Sequence, residues 1–216
     1  KAWTCLAIAL AFAGCGDDDA SDPDLGLVPI DLGTVADDLG GSESDAGPRD
    51  DAGADVDMGG DPGLGGLVVN EIDANDEVIE FFNPTPTPVD LSGLRVCDSA
   101  DGVPRLDRAF AFPAGTTLGA GEYILTVESD PVLDGIREGD DCPGGGRCLH
   151  TDWGISDSNG ETMYLLPPEG DDTPLMTIEY PMMAAPDGES YCRIDNGFGE
   201  FTACTPTPGA ANVASE

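Results

Sequence analysis

Glu71 and Glu80 are carboxylates set inside apolar runs, VVNEID and EVIEFF, whose alternation requires one face to be buried. A buried carboxylate needs donors, so each is expected to anchor backbone N–H groups or to pair with an arginine. A polar functional site at the pair is the weaker reading. Two carboxylates across a cleft would suit glycoside hydrolysis, but with 43 Asp and Glu in the chain the sequence singles out no catalytic pair. His150 is the only histidine, which excludes a multi-histidine metal centre, and neither a G-x-S-x-G elbow nor a G-x-x-x-x-G-K phosphate loop occurs. No catalytic residue is assigned, and the expectation is a protein that is not an enzyme and carries no cofactor.

Seven cysteines suit an oxidising compartment if they pair, although the count alone would also suit metal binding. The spacings disfavour zinc: Cys97, Cys142, Cys148, Cys192 and Cys204 contain no C-x-x-C pair, and His150 lacks a second histidine at a ligand spacing. Cys142 and Cys148 bracket the flexible PGGGR, whereas Cys192 and Cys204 flank RIDNGFGEFTA, which reads as a hairpin. Disulfides there would contribute ~2.4 and ~2.9 kcal/mol by loop-closure entropy. Cys97 is left over, as a buried thiol, an intermolecular link, or a sign that the pairing differs.

A different role falls to Cys15. Residues 2–14, AWTCLAIALAFAG, form an apolar run of signal-peptide length, too short to span a bilayer. Phe12-Ala13-Gly14-Cys15 resembles the bacterial lipobox, with Phe where Leu is usual, which implies that Cys15 is acylated and becomes the mature N-terminus. Gly16 is not the aspartate that retains some bacterial lipoproteins at the inner membrane, so the outer membrane is favoured.

Net charge then limits the partners. With 8 Lys and Arg against 43 acids the chain carries −35, and Arg49, Arg95, Arg105, Arg108, Arg137, Arg147 and Arg193 are scattered among acids. Nucleic acid is excluded because its phosphates require clustered cations. Such a charge repels anionic lipid and gathers divalent cations. Residues 16–65 hold fifteen acids and one arginine among Gly, Ala, Pro and Ser, too little apolar surface to offset ordering entropy, so a disordered spacer is expected. Its random-coil span is about 35 to 42 Å. The apolar interruption at 24–39 reads as unstructured chain rather than a docking strand, and DVDMGGD at 55–61 lacks the twelfth-position glutamate of an EF-hand. The division is therefore 1–14 signal peptide, 15–65 lipidated cysteine and linker, and 66–216 folded domain.

Beyond Gly66, short Val, Ile, Leu and Phe runs alternate with Gly, Pro, Asn and Asp, the pattern of an all-β domain. Strands are expected at 67–73, 77–82, 89–97, 106–112, 122–129, 152–156, 161–167, 175–180 and 189–194, enough for a two-sheet sandwich. Its core should include Val69, Ile79, Phe81, Leu94, Val96, Phe110, Phe112, Ile124, Leu125, Leu165 and Ile178, joined by Trp153 and Tyr180. Asp157-Ser158-Asn159-Gly160 reads as a hairpin turn, with weak Ca²⁺ binding left open as an alternative.

Several pieces, in order, resemble the lamin-tail domain: Asn70-Glu71, Ile79-Glu80 with Asn83-Pro84, Leu91-Ser92-Gly93, Phe112-Pro113, Gly119-Ala120-Gly121-Glu122-Tyr123, Gly160-Glu161 and Thr207-Pro208-Gly209. The resemblance spans 67–212 and departs at the cysteine-bearing insert 135–148. It implies an immunoglobulin-like β-sandwich whose job is attachment or recognition. Together these readings describe a lipid-anchored bacterial envelope protein, periplasmic or surface-exposed, binding an unknown protein or glycan. The alternative is a structural acidic envelope protein that binds divalent cations diffusely.

Overall fold

A computed structural model describes residues 64–215. The expectations at Cys15, at 24–39 and at 55–61 lie outside these residues. Sixteen strands follow one another among the described residues: β1 Val68–Asp73, β2 Val78–Phe82, β3 Val89–Asp90, β4 Arg95–Cys97, β5 Ser99–Ala100, β6 Val103–Pro104, β7 Phe110–Ala111 and β8 Thr117–Leu118 in the first half. β9 Tyr123–Glu128, β10 Ile136–Glu138, β11 Arg147–Thr151, β12 Glu161–Leu166, β13 Met176–Tyr180, β14 Ser190–Arg193, β15 Phe201–Thr205 and β16 Val213–Ala214 complete them. An eight-stranded sheet, β10-β11-β9-β2-β1-β14-β15-β16, faces a four-stranded sheet, β13-β12-β4-β7, with two small ribbons, β3-β8 and β5-β6. The fold is an immunoglobulin-like β-sandwich. Every pairing is antiparallel except β9 with β11.

The expected core closes the two layers. Val69, Ile79, Phe81, Val96, Phe112, Ile124, Leu165 and Ile178 belong to one buried cluster with Trp153 and Tyr180. Phe81 meets Phe112 edge-to-face at 6.3 Å, joining β2 to the segment after β7. Phe110 is only half-buried, against the expectation, because β7 forms the edge of the smaller sheet.

Three expected strands are corrected. The run 89–97 is broken at Leu91–Leu94 by a turn in which Leu94 N donates to Leu91 O and Gly93 adopts φ +73°, so the chain leaves the β3-β8 ribbon for the smaller sheet. The run 106–112 begins as a 3₁₀ turn at Leu106–Arg108, with Leu106 exposed, and pairs only at Phe110–Ala111. The largest change is at 152–156, where no strand forms; β11 lies just before it. Trp153 and Ile155 are buried there, giving a period-2 signal without a ladder, and the Ile155 N–H goes instead to a Glu77 carboxylate oxygen. The turn at 157–160 is not a hairpin: it carries the chain from β11 in the larger sheet to β12 in the smaller. Asp157 accepts the Tyr180 hydroxyl at 2.8 Å.

Candidate functional site

β1 and β2 are antiparallel neighbours, and their register sets Glu71 opposite Glu80 after a shift between Val69 and Glu71. Both carboxylates are buried. Each finds its donors on the C-terminal segment rather than on an arginine. Thr207 gives Glu71 its N–H at 3.0 Å and its hydroxyl at 2.8 Å, and Gly209 N donates to Glu80 at 2.7 Å. Asn70 Nδ2 donates to the other Glu80 oxygen at 2.7 Å. Burial pushes the Glu80 carboxyl up to about 8; the Asn70 and Gly209 donors pull the other way, and the Glu71 charge adds to the rise. The two acids therefore fasten residues 207–209 as a strap across the sheet. That accounts for their chemistry without a substrate.

The same polar layer fixes the tip of the β14-β15 hairpin. Asn70 Oδ1 accepts Gly197 N at 2.8 Å, and Asn196 Oδ1 accepts Asn70 Nδ2 at 2.8 Å and Asn212 N at 3.2 Å. Asn196 Nδ2 donates to the Tyr123 hydroxyl at 2.6 Å, and Tyr123 in turn stacks on Phe82 with centroids 4.6 Å apart. Gly197 has φ +81°, and a Cβ there would lie 2.8 Å from the Phe82 ring, so only glycine lets the turn press this closely. Arg193 donates to the Val69 and Gly199 carbonyls and covers the Phe201 ring. The Cys192–Cys204 disulfide joins the two strands behind the tip.

On this braced tip Phe198 stands 67 % exposed. Beside it lies an open, mainly apolar depression of about 420 Å³ bounded by Gly66, Val68, Pro84, Thr85 and Gly199. An exposed aromatic next to an apolar hollow, on a loop already held in one shape, suits recognition.

The remaining sequence candidates are placed as follows. Cys142 and Cys148 form a disulfide with Cα atoms 5.7 Å apart. Cys97 is a free thiol, fully buried with Tyr164 and Leu166, and burial pushes it up to about 11, out of the range of a reactive thiolate. The insert 135–148 builds β10 and the start of β11, and so widens the larger sheet. The sequence marked Asn70 only as part of the Asn70-Glu71 piece, without its bonding role, and Asn196, Asn212 and Phe198 were missed. The cue for the asparagines was their place beside Glu71 and in the D-N-G and G-A-A-N segments, since Asn satisfies irregular backbone; for Phe198 it was an aromatic between two glycines.

Residues 61–180, more than half of the chain, match the family model of the Lamin Tail Domain, and the chain belongs to that family. Lamin tail domains are non-catalytic immunoglobulin-like sandwiches, a fold consistent with a binding module. β14, β15 and the strap follow the matched stretch, yet β14 extends the sheet by pairing with β1, and β15 and β16 lie beyond it. No curated protein matches the chain.

Proposed function

We propose that this chain is a non-enzymatic envelope protein, tethered by lipid on Cys15, whose lamin tail sandwich binds a protein or glycan through the β14-β15 tip. Phe198 carries the binding reading: its exposed ring, on a turn locked by the Asn70, Asn196 and Cys192–Cys204 contacts, offers apolar area with little ordering cost. Such a ring suits the apolar face of a sugar or a peptide side chain. The tether reading rests on the lipobox-like Phe12-Ala13-Gly14-Cys15, because two or more acyl chains give stable attachment where one does not. The place proposed is the periplasm or the surface, with the outer membrane favoured because Gly16 follows Cys15. Nucleic acid is not a partner in this reading: Arg95, Arg105, Arg108, Arg137 and Arg147 each sit within ion-pair distance of an Asp or Glu.

Two experiments test the reading. Phe198→Ala should lose capture of envelope protein or glycan while its melting temperature stays unchanged; equal capture by both forms refutes the tip. Radioactive palmitate should label the wild-type chain and not Cys15→Ala; an unlabelled wild type refutes the tether.

A further inference from the structure

We propose that the Cys142–Cys148 pair and His150 form a redox-gated site for a soft d¹⁰ cation, Cu(I) foremost, which is masked while the disulfide stands and opens when an external dithiol reduces it. This does not depend on the β14-β15 tip. One ligand atom from each of the three residues lies within 4.8 Å of the others, and all three residues are buried. The geometry follows from β11: Cys148 and His150 are two residues apart on one strand, so their side chains leave the same face of the sheet. Leu149, between them, turns to the main core instead. Linear spacing hid this because the C-x-H step counts only once residues 147–151 are a strand.

The surroundings suit a soft cation. Val78, Leu125 and Val127 pack around both sulfurs, which keeps water off them. Two thiolates and one imidazole are three soft or borderline ligands; Cu(I) is content with three, whereas structural zinc takes four. The imidazole is already oriented. Its Nε2 lies 3.0 Å from the Asp141 carbonyl oxygen, which can only accept, so Nε2 carries the proton and Nδ1 accepts the Ser129 hydroxyl at 2.5 Å. Cys148 Sγ lies 3.6 Å from that same carbonyl oxygen, so the sulfur and Nε2 flank one backbone oxygen. A serine hydroxyl can donate or accept, so Ser129 can hold the ring in either tautomer.

A dithiol passes two electrons and two protons to the S–S bond, leaving two thiols and becoming a disulfide itself. Cu(I) then displaces both thiol protons to solvent. The imidazole stays neutral: its proton moves from Nε2 to Nδ1, which then donates a hydrogen bond to the Ser129 hydroxyl oxygen, and the Nε2 lone pair turns to the metal. Of the two disulfides among the described residues this is the more open to a reductant, since Cys142 retains 7 % exposure and begins a glycine-rich loop, whereas Cys192 and Cys204 have none.

His150 is the only histidine in the chain, so imidazole scattering in X-ray absorption reports this site alone. The full chain, reduced with a phosphine, desalted without oxygen and loaded with one equivalent of Cu(I), should show two sulfurs and one imidazole. His150→Gln should lose the imidazole signal, Ser129→Ala should weaken Cu(I) binding about 10-fold against a chromogenic chelator, and the oxidised chain should not compete with the chelator. Sulfur-only coordination in the wild type, unchanged affinity in His150→Gln, or preferential retention of Zn(II) over Cu(I) would overturn the proposal.

Discussion

Glu71 and Glu80 stand opposite one another across the β1–β2 ladder, and their carboxylates hold two backbone N–H groups of one strap, those of Thr207 and Gly209. Residues far apart in sequence, the N-E and I-E steps near the start of the domain and the T-P-G step near its end, are thus one device. It closes the sheet on the side where the β14-β15 tip emerges.

The strap should therefore fail when its acceptor is removed. Glu71→Ala leaves the Thr207 N–H without its partner, a loss of about 1 to 3 kcal/mol, and amide exchange should speed up at Thr207 and the residues that follow. Urea unfolding with exchange readout measures both. Unchanged protection there would mean that the strap is held by packing alone.

Stability should depend on pH through Glu80. Its folded pKa, about 8, lies above the ordinary glutamate value of 4.5, so the folded state binds more protons between those values. The contribution is complete below about pH 4.5, declines as pH rises, and is lost by about pH 8, amounting to a few kcal/mol by linkage. Glu80→Gln should flatten that part of the profile in urea titrations. A wild-type profile rising across this range would contradict the assignment.

Two adjacent glycines should answer differently to the same substitution. Gly144 and Gly145 have φ +63° and +71°, but a Cβ on Gly144 would come 2.0 Å from the Pro208 carbonyl oxygen, while one on Gly145 meets nothing within 4 Å. Gly145→Ala should cost only the left-handed backbone penalty, about 1 kcal/mol. Gly144→Ala should cost more and loosen the strap as well, read as a lower melting temperature. Equal losses would show that the insert loop does not bear on the strap.

Removing the Cys192–Cys204 bond, as Cys192→Ala with Cys204→Ala, should cost about 3 kcal/mol and weaken ligand capture alongside stability. Phe198→Ala should touch capture alone, within about 0.5 kcal/mol of wild-type stability. Calorimetry and a binding assay on both variants separate the two effects.

What the sequence could show depended on whether a signal was local. Val69, Ile79, Phe81 and Ile124 alternate within single strands, so their burial follows from period 2. The donors expected for Glu71 and Glu80 were legible as a need, but their source was not, because Thr207 is 136 residues from Glu71. The 152–156 stretch misled because Trp153 and Ile155 alternate into the core as coil, with the Ile155 N–H served by a Glu77 carboxylate oxygen and the Trp153 carbonyl by the Thr151 hydroxyl. Moving that strand back to 147–151 is what brings His150 beside Cys148. The parallel pairing of β11 with β9, which fixes its place, is a long-range fact with no local mark.

The β14-β15 tip is the surface proposed to meet the partner. Hydrogen–deuterium exchange on the full chain, with and without isolated envelope material, tests it most directly. Protection should appear at residues 194–201 and around Pro84 and Thr85, and should vanish in Phe198→Ala. Protection confined to the opposite end of the sandwich, or none at saturating material, would contradict it.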